Sequence, residues 1–162
     1  MSEPLHLVVM GVAGAGKTTL GRALADSLRC PFLEADDLHS DANRAKMARG
    51  EGLTDLDREP WLAAIESCLD ARRGQSLVLA CSALRDKYRA RLAHERPVRF
   101  VYLDVPADVL SERLARRRGH YAGTALLASQ LATLEPPRDA ICVDGTRPVA
   151  DLVTRIRHAL GR

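Results

Sequence analysis

This sequence predicts an α/β fold, a three-layer parallel sheet with helices on both faces. Three observations carry the prediction. Short apolar runs alternate with helical patterns from end to end. The runs at 5–10 and 77–81 are almost continuously apolar, as strands covered on both faces must be. A glycine-rich stretch, Gly11-Val12-Ala13-Gly14-Ala15-Gly16-Lys17-Thr18, separates the first run from the first helical pattern. Helix-length crossovers between such strands are expected to be right-handed.

The first strand, 5–10, leads into the glycine stretch, and Leu20, Leu24 and Leu28 then mark one helix face. Strand, loop and helix in that order make a GxxxxGK[ST] match a phosphate-binding loop. Gly11, Gly14 and Gly16 permit backbone conformations that a Cβ forbids and a close approach to a polyphosphate. The N–H groups around Ala15 and Gly16, with the helix start at Lys17, Thr18 and Thr19, offer partial positive charge to it. Lys17 can reach the β- and γ-phosphates, and the Thr18 hydroxyl suits Mg²⁺. Phe32 and Leu33 then begin a short strand that runs into Glu34, Asp36 and Asp37.

Residues 38–57 are polar and read as a loop-rich or partly helical excursion above the sheet. Asp57 is expected to cap the next helix, with Pro60 in its first turn and Leu62, Ile65 and Leu69 inward. Gly74 ends that helix and 77–81 follows as a buried strand. Leu84, Tyr88 and Leu92 share the next helix face, and 98–105 is a strand. Pro106 opens a helix through Leu110 and Leu114 into Arg116, Arg117 and Arg118. A shorter helical pattern covers 125–134, then a last strand 140–143. Pro148 opens a closing helix with Leu152, Val153, Ile156 and Leu160 inward.

The 162 residues suit one domain. The net charge of +3 fits an anionic substrate and is too small to argue for nucleic acid. Cys30, Cys68, Cys81 and Cys142 form no CxxC pair. Cys30, Cys81 and Cys142 fall in or beside strand-like runs, so buried reduced thiols are expected. No signal peptide and no membrane-length apolar run is present, which makes the cytoplasm the expected location. His39 and His120 have no metal-ligand spacing to a Cys or a second His.

In open α/β sheets ligands gather at the carboxyl ends of the strands. That edge would hold the phosphate loop, Glu34, Asp36, Asp37, Ser82, Arg85, the arginine run, and Asp144-Gly145-Thr146. Transfer of a phosphoryl group to an alcohol needs a carboxylate near the acceptor hydroxyl and positive charge around the moving group. Asp36 is the chosen carboxylate. Asp37 can instead cap the following turn and Glu34 can order Mg²⁺ through water; spacing alone does not separate the three. The run of Arg113, Arg116, Arg117 and Arg118 before Gly119 reads as a solvated helix face or as a lid hinged at Gly119. Trp61 is either core or pocket wall.

Several segments together resemble one family. They are the phosphate loop, Phe32 to His39, Asn43 with Lys46-Met47 and Gly50, and Leu53 to Leu62. Cys81-Ser82-Ala83-Leu84-Arg85 with Tyr88-Arg89, Gly119-His120-Tyr121, Ser129-Gln130 and Leu134-Glu135-Pro136 complete the set. In that order they resemble the small P-loop gluconokinases over nearly the whole chain. The resemblance implies ATP-dependent phosphorylation of D-gluconate to 6-phosphogluconate, Mg²⁺, a fold like adenylate and shikimate kinases, and a homodimer. It frames residues 1–162 as a single kinase domain, with a substrate-binding excursion at about 38–60 and a lid at about 113–135. Lys17, Asp36 and Arg117 are then the catalytic candidates. Arg113 and Arg117 match the lid arginines, one stacking on adenine. Arg58 and Arg85 are the planar forks best suited to the gluconate carboxylate. Asp57, Ser82, His39, Lys46 and Gln130 are candidates for its hydroxyls. Ala35, Ser40, Gly52, Ala122 and Leu131 depart from the family's usual residues, and bear on loop stiffness and pocket lining. Alternatives are a shikimate-type kinase, whose triple-glycine segment is absent here, and a nucleotide-gated binding protein.

Overall fold

Five strands pair in parallel in the order β2-β3-β1-β4-β5: β1 (His6–Met10), β2 (Phe32–Glu34), β3 (Leu77–Ala80), β4 (Val98–Asp104) and β5 (Ile141–Asp144). They belong to a computed structural model that describes residues 2–117 and 121–162. Seven helices complete it among the described residues: α1 (Lys17–Leu28), α2 (Asp41–Ala48), α3 (Asp55–Asp70), α4 (Asp86–Ala93), α5 (Ala107–Ala115), α6 (Tyr121–Thr133) and α7 (Val149–Leu160). A 3₁₀ turn spans Ala35–Leu38. No described helix is long and apolar enough to cross a membrane.

β1 is central, and its alternation builds the two cores. Leu7 and Val9 face one cluster with Leu20, Leu24, Leu110, Leu152 and Ile156, from α1, α5 and α7. Val8 and Met10 face the other with Trp61, Ile65, Leu69, Tyr88 and Leu92, from α3 and α4. Every β1 residue is buried, as the near-continuous apolar run requires. His6 is tolerated there because its Nε2 lies 2.9 Å from the Arg72 carbonyl and 3.1 Å from that of Gln75. The chain winds to one side of β1 through β2 and β3, then crosses to the other at β4. The loops after β1 and its neighbours therefore border one crevice.

Several boundaries differ from the sequence reading. Thr54, not Asp57, caps α3: its Oγ accepts from the Asp57 N–H at 3.0 Å while the Asp57 carboxylate accepts from the Thr54 N–H at 2.9 Å. This reciprocal capping box starts the helix earlier and moves Pro60 beyond its first turn. The excursion contains α2, capped by Ser40 Oγ, which accepts from the Asn43 N–H at 3.1 Å. Leu84 precedes α4, and α3 ends at Asp70, before Gly74. α6 starts at Tyr121, ahead of the expected 125. Cys81 is buried, but Cys30 is only half-buried and Cys142 is exposed. Ile141 and Val143 of edge strand β5 turn into the core, so Cys142 between them turns away from it. Arg118, Gly119 and His120, and with them the expected hinge, lie outside the described residues.

Candidate active site

The loop between β1 and α1 is shaped by backbone conformation. Gly14 and Gly16 hold φ of 84° and 97°, in the left-handed region that glycine enters without steric cost. A Cβ on Gly14 would stand 3.2 Å from Leu114, whereas one on Gly16 would meet nothing within 4 Å. Space is thus open above the loop where an anion would lie. α1 begins at once, with no side-chain cap and no acidic residue in its first turn. Its first N–H groups stay available to a phosphate. Lys17 Nζ donates to the Val12 carbonyl at 3.0 Å. Burial pushes its pKa down, and the nearby Asp36 carboxylate opposes that shift. Thr18 donates to the Glu34 carboxylate. Glu34 also accepts from the Asp36 N–H at 3.4 Å, which caps the 3₁₀ turn and orients Asp36.

A cavity of about 90 Å³ lies beside this loop. Ala13, Lys17, Asp36, His39, Arg58, Ser82 and Gln130 line it, with Met47, Leu53, Trp61 and Leu126 as apolar wall. Asp36 is the only carboxylate in that lining among the described residues. Arg58 is buried and directed by one nitrogen, which donates to the Leu53 carbonyl at 2.7 Å and to Tyr88 Oη at 3.2 Å. Tyr88 in turn donates to Asp55, which Lys87 also contacts. No hydrogen bond engages the rest of the Arg58 fork among the described residues. Trp61 is both core and wall: its Nε1 donates to the Ala35 carbonyl at 2.7 Å, and the His39 ring stacks on it at 4.4 Å and 10°. Gln130 reaches from α6 to the phosphate loop, where its Oε1 accepts from the Ala13 N–H at 2.7 Å.

A separate cavity of about 350 Å³ opens on the other flank of the loop, between Gly14, Ala15, Gly16 and Thr19 and the side chains of Arg113, Arg116, Arg117 and Arg147. Arg113 uses its fork on backbone, donating to the carbonyls of Gly14 and Ala15 at 3.2 Å each and of Gly145 at 2.8 Å. It braces the loop against the turn after β5. Arg117 is near enough to Lys17 to help lower the lysine's pKa.

The other predicted residues stand elsewhere. Lys46 and Asp57 pair with each other at 2.7 Å and are absent from the cavity lining. The Lys46 contact, helped by the Thr54 N–H, draws the Asp57 pKa down to about 2. Arg85 is also absent from that lining, and its Nε is buried with no hydrogen-bond partner among the described residues. The segment before it is strained: Ala83 holds a φ of 46°, which a Cβ disfavours.

Three contributors were given no role by the sequence reading, although Asn43 and Arg89 stand among the residues that carry the resemblance. Buried Asn43 bonds His39 and the Asp57 carbonyl. Buried Arg89 donates to the carbonyls of Ala83 and Glu135 at 2.6 Å each, tying the strained loop to the segment after α6. Arg147 lines the second cavity. Only Arg147 carried a positional signal, since it follows the last strand; the other two depend on contacts between distant segments.

Known proteins resemble this chain along most of its length. Residues 7–137 match a family model described as an AAA domain. A gluconokinase of Gluconobacter oxydans is 46% identical, the match covering 96% of this chain and 92% of that protein. The thermoresistant gluconokinase of Escherichia coli is 39% identical over 90% of this chain and 87% of its own length. A solved gluconokinase from Sinorhizobium meliloti superposes with a TM-score of 0.89 at 42% identity, covering 100% of this chain and 94% of that one. A shikimate kinase from Aquifex aeolicus, at 17% identity and a TM-score of 0.63, shares the fold alone. Phosphate loop, acid-bearing cavity and relatives converge: the chain belongs to the gluconokinase family of P-loop kinases.

Proposed function

We propose that this chain transfers the γ-phosphoryl group of ATP to D-gluconate, giving 6-phospho-D-gluconate and ADP. One observation carries the reading. A cavity against Lys17 holds, among the described residues, a single lining carboxylate, Asp36, amid groups that donate hydrogen bonds. A polyhydroxy acid needs that balance: donors for its carboxylate and hydroxyl oxygens, and one acceptor for the hydroxyl proton that leaves.

In this reading the loop N–H groups and Lys17 hold the phosphates. Lys17 leaves the Val12 carbonyl to do so, and the charge of the triphosphate favours its protonated form against burial. Asp36 accepts the proton of the attacking hydroxyl. Arg58 offers its free fork to the gluconate carboxylate, and Ser82 and Gln130 bond hydroxyls. Arg117 lies over the phosphates or base from the nucleotide flank. Mg²⁺ fits the hard oxygens of Thr18 and Glu34, and no group of three or more His, Cys, Asp or Glu among the described residues could hold a metal alone. The ion would therefore lean on phosphate oxygens and water, and it supplies neutralisation of phosphate charge. The same proposal takes 38–60 as the acceptor arm, 113–135 as a lid, a homodimer as the assembly and the cytoplasm as the setting.

Phosphorus NMR of parallel reactions of Mg-ATP with D-gluconate and with shikimate tests the reading. The expected product is a phosphomonoester on the sugar acid with matching ADP. Inorganic phosphate alone, or a phosphoester formed only from shikimate, contradicts it.

A further inference from the structure

We infer that Asn43 fixes His39 as a neutral imidazole carrying its hydrogen on Nε2, and that this N–H is a donor-only contact to an oxygen of the acid substrate. The inference rests on reading the cavity as the acceptor site, and it adds a residue that touches neither ATP nor the cavity. It begins with the Asn43 side chain. One atom of that amide lies 2.8 Å from the Asp57 carbonyl and 3.2 Å from His39 Nδ1. An oxygen there would face the carbonyl oxygen with no proton between them. The atom is therefore the NH₂ group, and its two hydrogens serve the two neighbours. His39 Nδ1 must then present its lone pair, which leaves the ring hydrogen on Nε2.

The surroundings hold that tautomer in place. Asn43 is buried in the first turn of α2, its own N–H bonded to Ser40. The His39 ring lies flat on Trp61, whose Nε1 is anchored to Ala35. A ring flip would put a C–H against the Asn43 amide. Burial lowers the His39 pKa to about 4, so the ring is uncharged near neutrality. His39 lines the cavity with Lys17, Asp36 and Arg58, and no protein acceptor takes the Nε2 hydrogen among the described residues. Its Nε2 edge is the free one. A donor without acceptor capacity selects a carboxylate or hydroxyl oxygen and rejects an ammonium or amide N–H at the same place. Asn43 is a positioning residue, acting only through His39.

Histidine-¹⁵N-labelled protein answers this directly. A long-range ¹H–¹⁵N spectrum of the substrate-free wild type should show His39 with a protonated Nε2 and a bare Nδ1, assigned by its loss in His39→Gln. In Asn43→Asp the carboxylate should accept from Nδ1, so that the single ring hydrogen moves from Nε2 to Nδ1 and Nε2 is left as a bare acceptor. That variant's KM for D-gluconate should rise about tenfold, with the KM for ATP little changed. Glutamine can place an amide N–H near the Nε2 position and asparagine near Nδ1. The KM for D-gluconate should therefore rise several-fold more in His39→Asn than in His39→Gln. A wild-type spectrum with Nδ1 protonated overturns the inference, and so do equal KM values for the two His39 variants. The wild-type spectrum decides the tautomer even if Asn43→Asp does not fold. If the wild type turns over no gluconate, the proposed function fails while that spectrum still rules on the tautomer.

Discussion

Asp36 owes its place to a neighbour two residues back: Glu34 caps the turn and accepts the Asp36 N–H, while Lys17 stands across the cavity. In the proposed function Asp36 is the base on the acceptor side, and it does not line the cavity on the loop's other flank. Steady-state kinetics of Asp36→Asn should show kcat lower by about 10²–10⁴-fold with KM for ATP close to wild type. Retention of wild-type kcat would remove Asp36 from the reaction. His39 makes a second prediction through its pKa, which is about 4 in the fold against 6.5 for the free side chain. Between those values the unfolded chain binds the extra proton, so its contribution to stability is complete above pH 6.5 and is lost as pH falls towards 4. Thermal melts should show a decline across that window that is shallower in His39→Gln. An identical decline in the variant would show that His39 is not its source. The phosphate loop was legible because spacing along the chain defines it, whereas spacing left Asp36 level with Glu34 and Asp37 and the cavity lining sets Asp36 apart. Asn43 was not legible, because its role comes from two partners brought together by the fold.

At the level of elements, the alternation of apolar runs and helical faces predicted the strands and most helices. It misplaced ends where a local bond sets the start. The Thr54–Asp57 capping box is one case: Thr54→Ala should cost about 1 kcal/mol in denaturant unfolding, and no change would show that the cap is dispensable. The segment from Cys81 to Arg85 is another kind of case. It follows β3 in a strained path, and Arg89 clasps it to Glu135, whose N–H bonds the Leu84 carbonyl at 2.7 Å and whose carboxylate accepts from the Asp86 N–H at 2.9 Å. Nothing periodic in the sequence announces that clasp. Arg89→Ala leaves two carbonyls without their donor and should cost roughly 2–4 kcal/mol of stability. A loss under about 0.5 kcal/mol would mean that the clasp is replaced by solvent.

For the whole molecule, the phosphate loop divides two cavities: donors around Asp36 on one flank, arginines on the other. The crevice position followed from the parallel sheet alone, since β1 is flanked by β3 and β4. Which arginine turns to which flank did not, because helical spacing does not say what a long side chain meets. Gln130 and Arg113 bind the loop from opposite flanks, so the loop is tied to both α6 and α5, the two helices of the proposed lid. ATP and gluconate together should therefore slow proteolysis near Arg117 more than either does alone, and equal cleavage in all states would remove the proposed lid. The central claim is that the cavity beside Lys17 is the acceptor site of a gluconate kinase. Coupled ADP release from Mg-ATP, with gluconate, shikimate, related sugar acids or no acceptor, tests it most directly. Turnover that depends on gluconate and disappears in Lys17→Ala is the predicted result; hydrolysis independent of any acceptor, or turnover of shikimate with gluconate inert, would contradict it.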